Sequence, residues 1–145
     1  MKGLIQRVSS AQVVVDGEVI GKIDKGILLL LGVEKDDDTT RADKLIDKVT
    51  TYRIFADDDG KMNLSLRDIE GELLVVSQFT LVADTAKGKR PGFSSGAPPA
   101  LGKELYNYFC DTAKASGIKV ATGQFGADMK VSLTNDGPVT FWLES

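Results

Sequence analysis

The run Ile27-Leu28-Leu29-Leu30-Leu31-Gly32-Val33 constrains this chain more than any other stretch, because it carries no polar side chain at all. A half-buried strand alternates apolar and polar residues; an unbroken apolar strand is buried on both faces, so its sheet must be covered on both sides. The run is also far too short to span a bilayer as a helix, which takes about 20 residues. Other strand patterns surround it. Residues 2–15 alternate and end at Asp16-Gly17, a strong hairpin signal, and Glu18 to Asp24 returns. Glu72 to Val82 is a second strongly apolar pattern, followed by Ile118 to Gln124, Met129 to Leu133 and Val139 to Leu143.

Two segments have helical spacing instead. Asp36, Asp37, Asp38 and Thr39 supply capping groups ahead of a stripe made by Ala42, Leu45, Ile46, Val49 and Tyr52. Pro99 suits a first helical turn, the stripe Leu101, Leu105, Tyr108, Phe109 and Thr112 follows, and Gly117 is a natural stop. Between them, residues 84–98 are broken up by Gly88, Pro91, Gly92, Gly96 and Pro98, which predicts a loop. Many strands with two helices predict an α+β fold: a curved, barrel-like, mainly antiparallel sheet with the two principal helices packed outside it. No repeat, linker or low-complexity tract divides the chain, so residues 1–145 read as one domain.

The composition excludes whole classes of chemistry. There is no histidine, so Ser-His-Asp and Cys-His machinery cannot be built, nor a histidine zinc site. Any proton transfer must come from carboxylates, Lys, Tyr, water or the substrate. The single cysteine, Cys110, permits no internal disulfide and fits a reducing compartment. The opening Met1-Lys2-Gly3-Leu4-Ile5 lacks a signal peptide's apolar stretch, so the expected location is cytoplasmic. A net charge of −3 argues against broad, sequence-independent nucleic-acid binding. One local basic cluster stands out, Lys87, Lys89 and Arg90, and on composition alone an ordinary solvated loop accounts for it better than a phosphate contact does.

Several motif matches fail on inspection. If Gly60 held the sixth position of a calcium loop, Phe55 and Leu66 would occupy positions that require oxygen ligands, so Asp57-Asp58-Asp59-Gly60 reads as a turn. Gly88-Lys89 is followed by Arg90 and preceded at the loop's first position by Ala83, which excludes a P-loop. Gly123-Gln124-Phe125-Gly126 has the spacing of a KH loop but joins strand patterns, so a tight turn is expected.

Two segments resist a bland account. Ser77-Gln78-Phe79-Thr80-Leu81 falls within an apolar strand pattern, which would put Ser77, Phe79 and Leu81 on one face and Gln78 and Thr80 on the other. Buried polar side chains there are either satisfied in the core or facing a cavity. Asn135-Asp136-Gly137-Pro138-Val139-Thr140 is either a plain hairpin turn or a rigid cis-proline turn whose exposed carbonyls receive an ammonium group.

Together, in this order and spacing, Ser77-Gln78-Phe79-Thr80 and Asn135-Asp136-Gly137-Pro138-Val139-Thr140 resemble the two signatures of the D-aminoacyl-tRNA deacylase family. The resemblance runs from Arg7-Val8-Ser9-Ser10-Ala11 through Lys87-Gly88-Lys89-Arg90-Pro91 and Gly123-Gln124-Phe125-Gly126-Ala127-Asp128-Met129 to the last strand pattern. It covers the whole chain, with Gly92 standing where the family often has Ser. It implies a homodimer of barrel-like subunits with active sites at the interface. It also implies a hydrolase that frees D-amino acids, and glycine, from the aminoacyl end of tRNA without metal or cofactor and without a membrane.

By the same resemblance, Gly137-Pro138 is a cis bond that enters the partner subunit's site, holds the α-amino group and leaves no room for an L side chain. Arg7 braces that turn. Backbone N–H groups around Phe79 and Thr80 stabilise the oxyanion, with Ser77 and Gln78 completing the catalytic segment and Gln78 orienting substrate. Thr80 becomes a positioning residue, since a ribose hydroxyl of the RNA assists hydrolysis. Phe125 and Met129 are implied in substrate binding, Phe125 by stacking on the terminal adenine. Two rivals remain at this point: a non-catalytic RNA-end-binding module of the same fold, and an esterase with a Ser or Thr nucleophile acting on small esters.

Overall fold

A computed structural model describes residues 1–145. In chain order the elements are β1 (Lys2–Val15), β2 (Glu18–Ile23), β3 (Gly26–Gly32), α1 (Thr39–Thr51), β4 (Phe55–Ala56), β5 (Met62–Leu64), β6 (Glu72–Ser77), a 3₁₀ turn (Phe79–Val82), α2 (Pro99–Ala115), β7 (Lys119–Thr122) and β8 (Lys130–Glu144). β4 and β5 form a small separate hairpin. The other six strands make one sheet.

β1 organises that sheet. Its first half, Lys2–Val8, pairs with β3, and its second half, Ala11–Val15, pairs with β2. β8 runs antiparallel along the other edge of both halves. Beyond β3 the ladder changes character: β3–β6 and β6–β7 are parallel. The sequence reading of a mainly antiparallel sheet therefore holds through the three pairings of β1, with the β3–β6 and β6–β7 pairs as a parallel minority that it did not specify. Each parallel pair needs a crossover, and α1 and α2 supply them. β2 then swings back beside β7: a Cβ on Gly21 would stand 2.5 Å from the Thr122 carbonyl oxygen. The sheet is nearly closed into a barrel.

The apolar run behaves as its composition requires. Ile27, Leu29 and Leu31 join a cluster of 22 buried residues with Leu73 and Val75 of β6 and with Ala42, Leu45, Ile46 and Val49 of α1 and Leu105 and Phe109 of α2. Leu28 faces the other way, with Leu74 and Val76, into a cluster of 8 inside the curved sheet. β1 serves both clusters by changing face partway along. Ile5 packs under the helices and Val8 inside the sheet; after Ser9, an extra residue opposite the Asn135–Thr134 step of β8, the odd-numbered Ala11, Val13 and Val15 point inside. A bulge shifts side-chain alternation by one, and here it hands the strand from one core to the other.

The helix ends match their signals. The Asp38 side chain accepts from Arg41 N–H at the start of α1, and Pro99 opens α2. Asp37 does something else: it is buried and accepts from the Met1 ammonium at 2.7 Å and from Glu34 N–H at 2.7 Å. The buried face of α2 is Leu105, Tyr106, Phe109, Cys110 and Ala113. Tyr108 lies at the edge of that stripe, where it packs against the core and donates to Asp43 of α1 at 2.8 Å.

Two strand expectations need correction. Glu72 to Val82 is not one strand: Gln78 N–H makes a last bond to the Leu31 carbonyl, and the chain then coils into the 3₁₀ turn. Its β3 neighbour has run out at Gly32, so no ladder is left to extend. Met129–Leu133 and Val139–Leu143 are not two strands joined by a hairpin turn either. They are one strand, β8, because β1 continues unbroken alongside both halves; Asp136–Val139 bow out between the Asn135–Val8 and Thr140–Gln6 pairs.

Candidate active site

The first candidate segment lies at the C-terminal ends of the parallel strands, where open parallel sheets commonly place ligands. Ser77 ends β6 opposite Leu31, and Gly32 just beyond has no Cβ. One added there would stand 2.9 Å from Val82 Cγ1 and 3.0 Å from Leu81 Cβ, so the glycine lets the 3₁₀ turn fold directly over the end of β3. Leu81 N–H donates to Gln78 C=O at 3.2 Å and Ala83 N–H to Thr80 C=O at 3.2 Å. The turn's bonds therefore begin with Leu81 and leave it no acceptor for the N–H groups of Phe79 and Thr80. Gln78 donates through Nε2 to the Thr80 hydroxyl. Because this is a turn and not a strand, Ser77, Phe79 and Leu81 do not share a face; Phe79 is 67% exposed and its ring lies 5.3 Å from that of Phe93.

The Gly123–Met129 turn reaches the same end of the sheet. Gly123 N–H donates to the Val75 carbonyl, and the Met129 sulfur accepts from Gln124 N–H. Phe125 is half-buried, its ring 5.9 Å from Tyr106 and against the backbone of Gly102. Met129 packs on the inner cluster. Nearby Cys110 is no nucleophile, since burial pushes its thiol up to about 11. Burial first, and then Cys110, also raises the Tyr106 phenol, whose hydroxyl donates to the Val75 carbonyl at 2.8 Å.

The second segment lies elsewhere. Arg7 pairs with Ile27, four residues back along β3 from Leu31. At about 3.3 Å per residue the two segments stand on the order of 13 Å apart along that strand, before the width of the intervening strands is added. Arg7 Nε donates to the Asp136 carbonyl at 2.9 Å, and Nη1 donates to the Ile54 carbonyl at 2.7 Å. The Gly137-Pro138 bond is cis, and Gly137 has φ of +138°. A side chain there would meet Val139 Cγ2 at 2.7 Å and Arg7 Nη2 at 3.0 Å. Asn135 closes the neck of the excursion: its Oδ1 accepts from Val139 N–H and its Nδ2 donates to the Thr140 hydroxyl, both at 3.1 Å, while Gln6 Nε2 donates to the same hydroxyl at 3.3 Å.

The residues singled out in the sequence thus form two groups. Ser77, Gln78, Phe79, Thr80, Phe125 and Met129 gather at one end of the parallel strands, and Arg7, Gly137 and Pro138 at the other. No hydrogen bond joins the groups within the chain. Sequence reasoning missed two supporting residues. Gly32 had a signal, since a glycine inside a strand marks close backbone approach. Asn135 belongs to the Asn135–Thr140 motif, but its side-chain bonds depend on the bow in β8, which no local pattern announces. Asp57 accepts from Asn63 Nδ2 and from Lys61 and Asp59 N–H, as a turn residue does, and these bonds, that from Asn63 foremost, lower its carboxyl.

Comparisons with known proteins cover the whole chain. Residues 4–144 match the family model described as D-Tyr-tRNA(Tyr) deacylase. A D-aminoacyl-tRNA deacylase of Haemophilus influenzae (strain PittEE) is 65% identical over 99% of both chains, and that of Pectobacterium atrosepticum is 61% identical over 100% of both. Among solved structures, the c-Myc DNA Unwinding Element Binding Protein superimposes with a TM-score of 0.95 at 38% identity, over 100% of this chain and 99% of the other. A structure described as a probable eukaryotic D-amino acid tRNA deacylase matches in fold, with a TM-score of 0.86 at 15% identity, over 99% and 98% of the two chains.

Proposed function

The chain belongs to the D-Tyr-tRNA(Tyr) deacylase family and is an aminoacyl-tRNA deacylase, and from that premise we propose that it hydrolyses the ester of D-aminoacyl-tRNA, and of glycyl-tRNA, at a site that two copies complete. The observation that carries the mechanism is the division of the site residues into two groups at opposite ends of β3. One group offers main-chain donors and the other main-chain acceptors, and a single chain holds them apart. A homodimer that brings the Gly137-Pro138 excursion of one subunit to the Ser77–Thr80 turn of the other supplies both to one substrate.

At that shared site the Gly137 and Pro138 carbonyls receive the α-ammonium group, and the excursion occupies the space an L side chain needs. Selection then works by exclusion, and glycine passes. Water adds to the ester carbonyl carbon and passes a proton to the neighbouring ribose hydroxyl, which hands its own proton to the ester oxygen as the bond between that oxygen and the carbonyl carbon breaks. The N–H groups of Phe79 and Thr80 stabilise the negative oxygen in between, so the protein supplies positioning and electrostatics and needs no histidine. Gln78, tied to Thr80, orients the ester; Ser77 anchors the turn to β6; Phe125 and Met129 line the adenosine side, and Arg7 fixes the excursion. The setting is cytoplasmic, where charged tRNA is found; no helix is long and apolar enough to cross a membrane.

The test is amino-acid release from D-aminoacyl-, L-aminoacyl- and glycyl-tRNA, with a tRNA ending in 2′-deoxyadenosine as control. Release from the D- and glycyl esters, not from the L-ester, and poor turnover of the deoxy substrate are expected. Binding without release would make the chain an RNA-end-binding module, and equal D and L rates would remove the exclusion mechanism. Sedimentation of the active species decides the shared site: an active monomer excludes it.

A further inference from the structure

The rim of the Ser77–Thr80 group carries two rings that the core does not use. Phe79 is 67% exposed and Phe93 is 45% exposed, with centroids 5.3 Å apart and planes tilted by 48°. The loop between them is tied at its base, since Asp84 and Gly92 exchange both backbone bonds, at 2.8 and 2.9 Å. Phe93 directly follows that closure. The returning strand of the loop is fastened to the end of β3, through Lys35 N–H to the Ser95 carbonyl at 3.1 Å and Ala97 N–H to the Val33 carbonyl at 3.0 Å. Lys87, Lys89 and Arg90 project from the tip, all exposed and none paired with a carboxylate. In a chain of net charge −3, this is a local concentration of positive charge beside an aromatic surface.

We propose that Phe79 and Phe93 form a stacking platform for an unpaired nucleotide of the RNA strand that leads to the acylated ribose, and that Lys87, Lys89 and Arg90 hold the phosphates of that strand. The inference rests on the RNA-ester reading above. Aromatic faces beside free cations are the chemistry that binds single-stranded nucleic acid irrespective of sequence: every base has a face to stack, and every linkage carries a charge. The position fits the strand's path. The N–H of Phe79 addresses the ester while its ring points outward, so a base on that ring belongs to the nucleotides preceding the terminal one. Phe125 offers less open surface, with its ring against Tyr106 and Gly102.

The test compares full D-aminoacyl-tRNA with D-aminoacyl-adenosine, which keeps the ester and terminal base but lacks the preceding nucleotides. Phe93→Leu keeps apolar packing on Phe79 and removes the ring. It should raise KM for the tRNA substrate about tenfold and leave the adenosine substrate unchanged, with Phe93→Trp restoring the wild-type value. Replacing Lys87, Lys89 and Arg90 together with Gln should flatten the slope of log affinity against log salt by about 2. Equal losses on both substrates would make Phe93 a support for the Phe79 backbone and overturn the proposal. So would an unchanged KM for tRNA, or a variant that changes oligomeric state, which would assign the rings to a contact between copies. Fluorescence anisotropy with an unacylated single-stranded RNA ending in adenosine separates the two readings. A wild-type chain that releases no amino acid refutes the deacylase mechanism and leaves the platform to be judged by this probe, which overturns it if wild type and Phe93→Leu bind alike.

Discussion

The two candidate site segments are built in opposite ways. The Ser77–Thr80 turn is held from beneath by main chain: one ladder bond to Leu31, two bonds within the turn, and the bare backbone of Gly32 pressed against Leu81 and Val82. The Asp136–Val139 excursion is held from the side by side chains, with Arg7 reaching one carbonyl and Asn135 fastening its neck. A segment held by main chain tolerates change in its own side chains and fails when the packing beneath it changes. A segment held by side chains should fail one bond at a time.

Substitutions at four positions would break or sharpen that contrast. Gly32→Ala should have the largest effect, because its Cβ would push the turn from below. A displacement on the order of 1 Å costs about a hundredfold in turnover, and overpacking costs about 1–3 kcal/mol of stability in denaturant unfolding. A normal kcat would show that the turn does not depend on this contact. Gly137→Ala comes next, since it imposes a side chain at φ +138° and crowds Arg7. Loss of the charged bond to Asp136, worth about 1.5–3 kcal/mol, should cut D-aminoacyl-tRNA hydrolysis a few tens of fold in steady-state assays.

Asn135→Ala removes both neutral bonds at the neck, but Gln6 still donates to Thr140, so the main loss is the acceptor for Val139 N–H, worth about 1 kcal/mol; a loss of about fivefold is expected, with D-over-L selectivity falling alongside it. Asn135→Asp keeps the acceptor for Val139 N–H, and Thr140 can donate in return, so it should restore selectivity; if it does not, the neck is held some other way. Thr80→Ala should matter least, at about threefold, because only its side-chain bond with Gln78 is lost, where removal of a true nucleophile costs several orders of magnitude. A folded but inactive Thr80→Ala protein would return Thr80 to the nucleophile's role.

The same contrast explains what could be read from the sequence. The apolar run of β3, the stripes of α1 and α2, the Asp16-Gly17 turn and the Pro99 start were legible because each follows from spacing within a few residues. The parallel pairing of β3, β6 and β7 was not, since an unbroken apolar strand is equally suited to either direction. The end of β6 at Ser77 was hidden because Gln78 to Val82 remain as apolar as a strand; what stops them is the end of β3, more than 40 positions earlier. The unity of β8 was hidden because Asn135-Asp136-Gly137-Pro138 has the composition of a reversal. Only a long continuous partner, β1, shows that the chain keeps its direction. The two-group layout of the site follows from register, which composition does not encode.

The pairing of β1 with β8 also sets an order of events during synthesis. β2 and β3 emerge soon after β1 and can cover one of its edges early, but the other edge waits for residues 130–144. Through most of translation, Lys2–Val14 presents open donors and acceptors to any passing strand, the condition under which nascent chains pair wrongly. Arg7, likewise, has no Asp136 carbonyl to grip until nearly the whole chain is made. A ribosome stalled before β8 therefore carries a chain with the Ser77–Thr80 turn but without the Asp136–Val139 excursion that the proposed mechanism requires. Such fragments hold one half of the proposed site and are not partial enzymes.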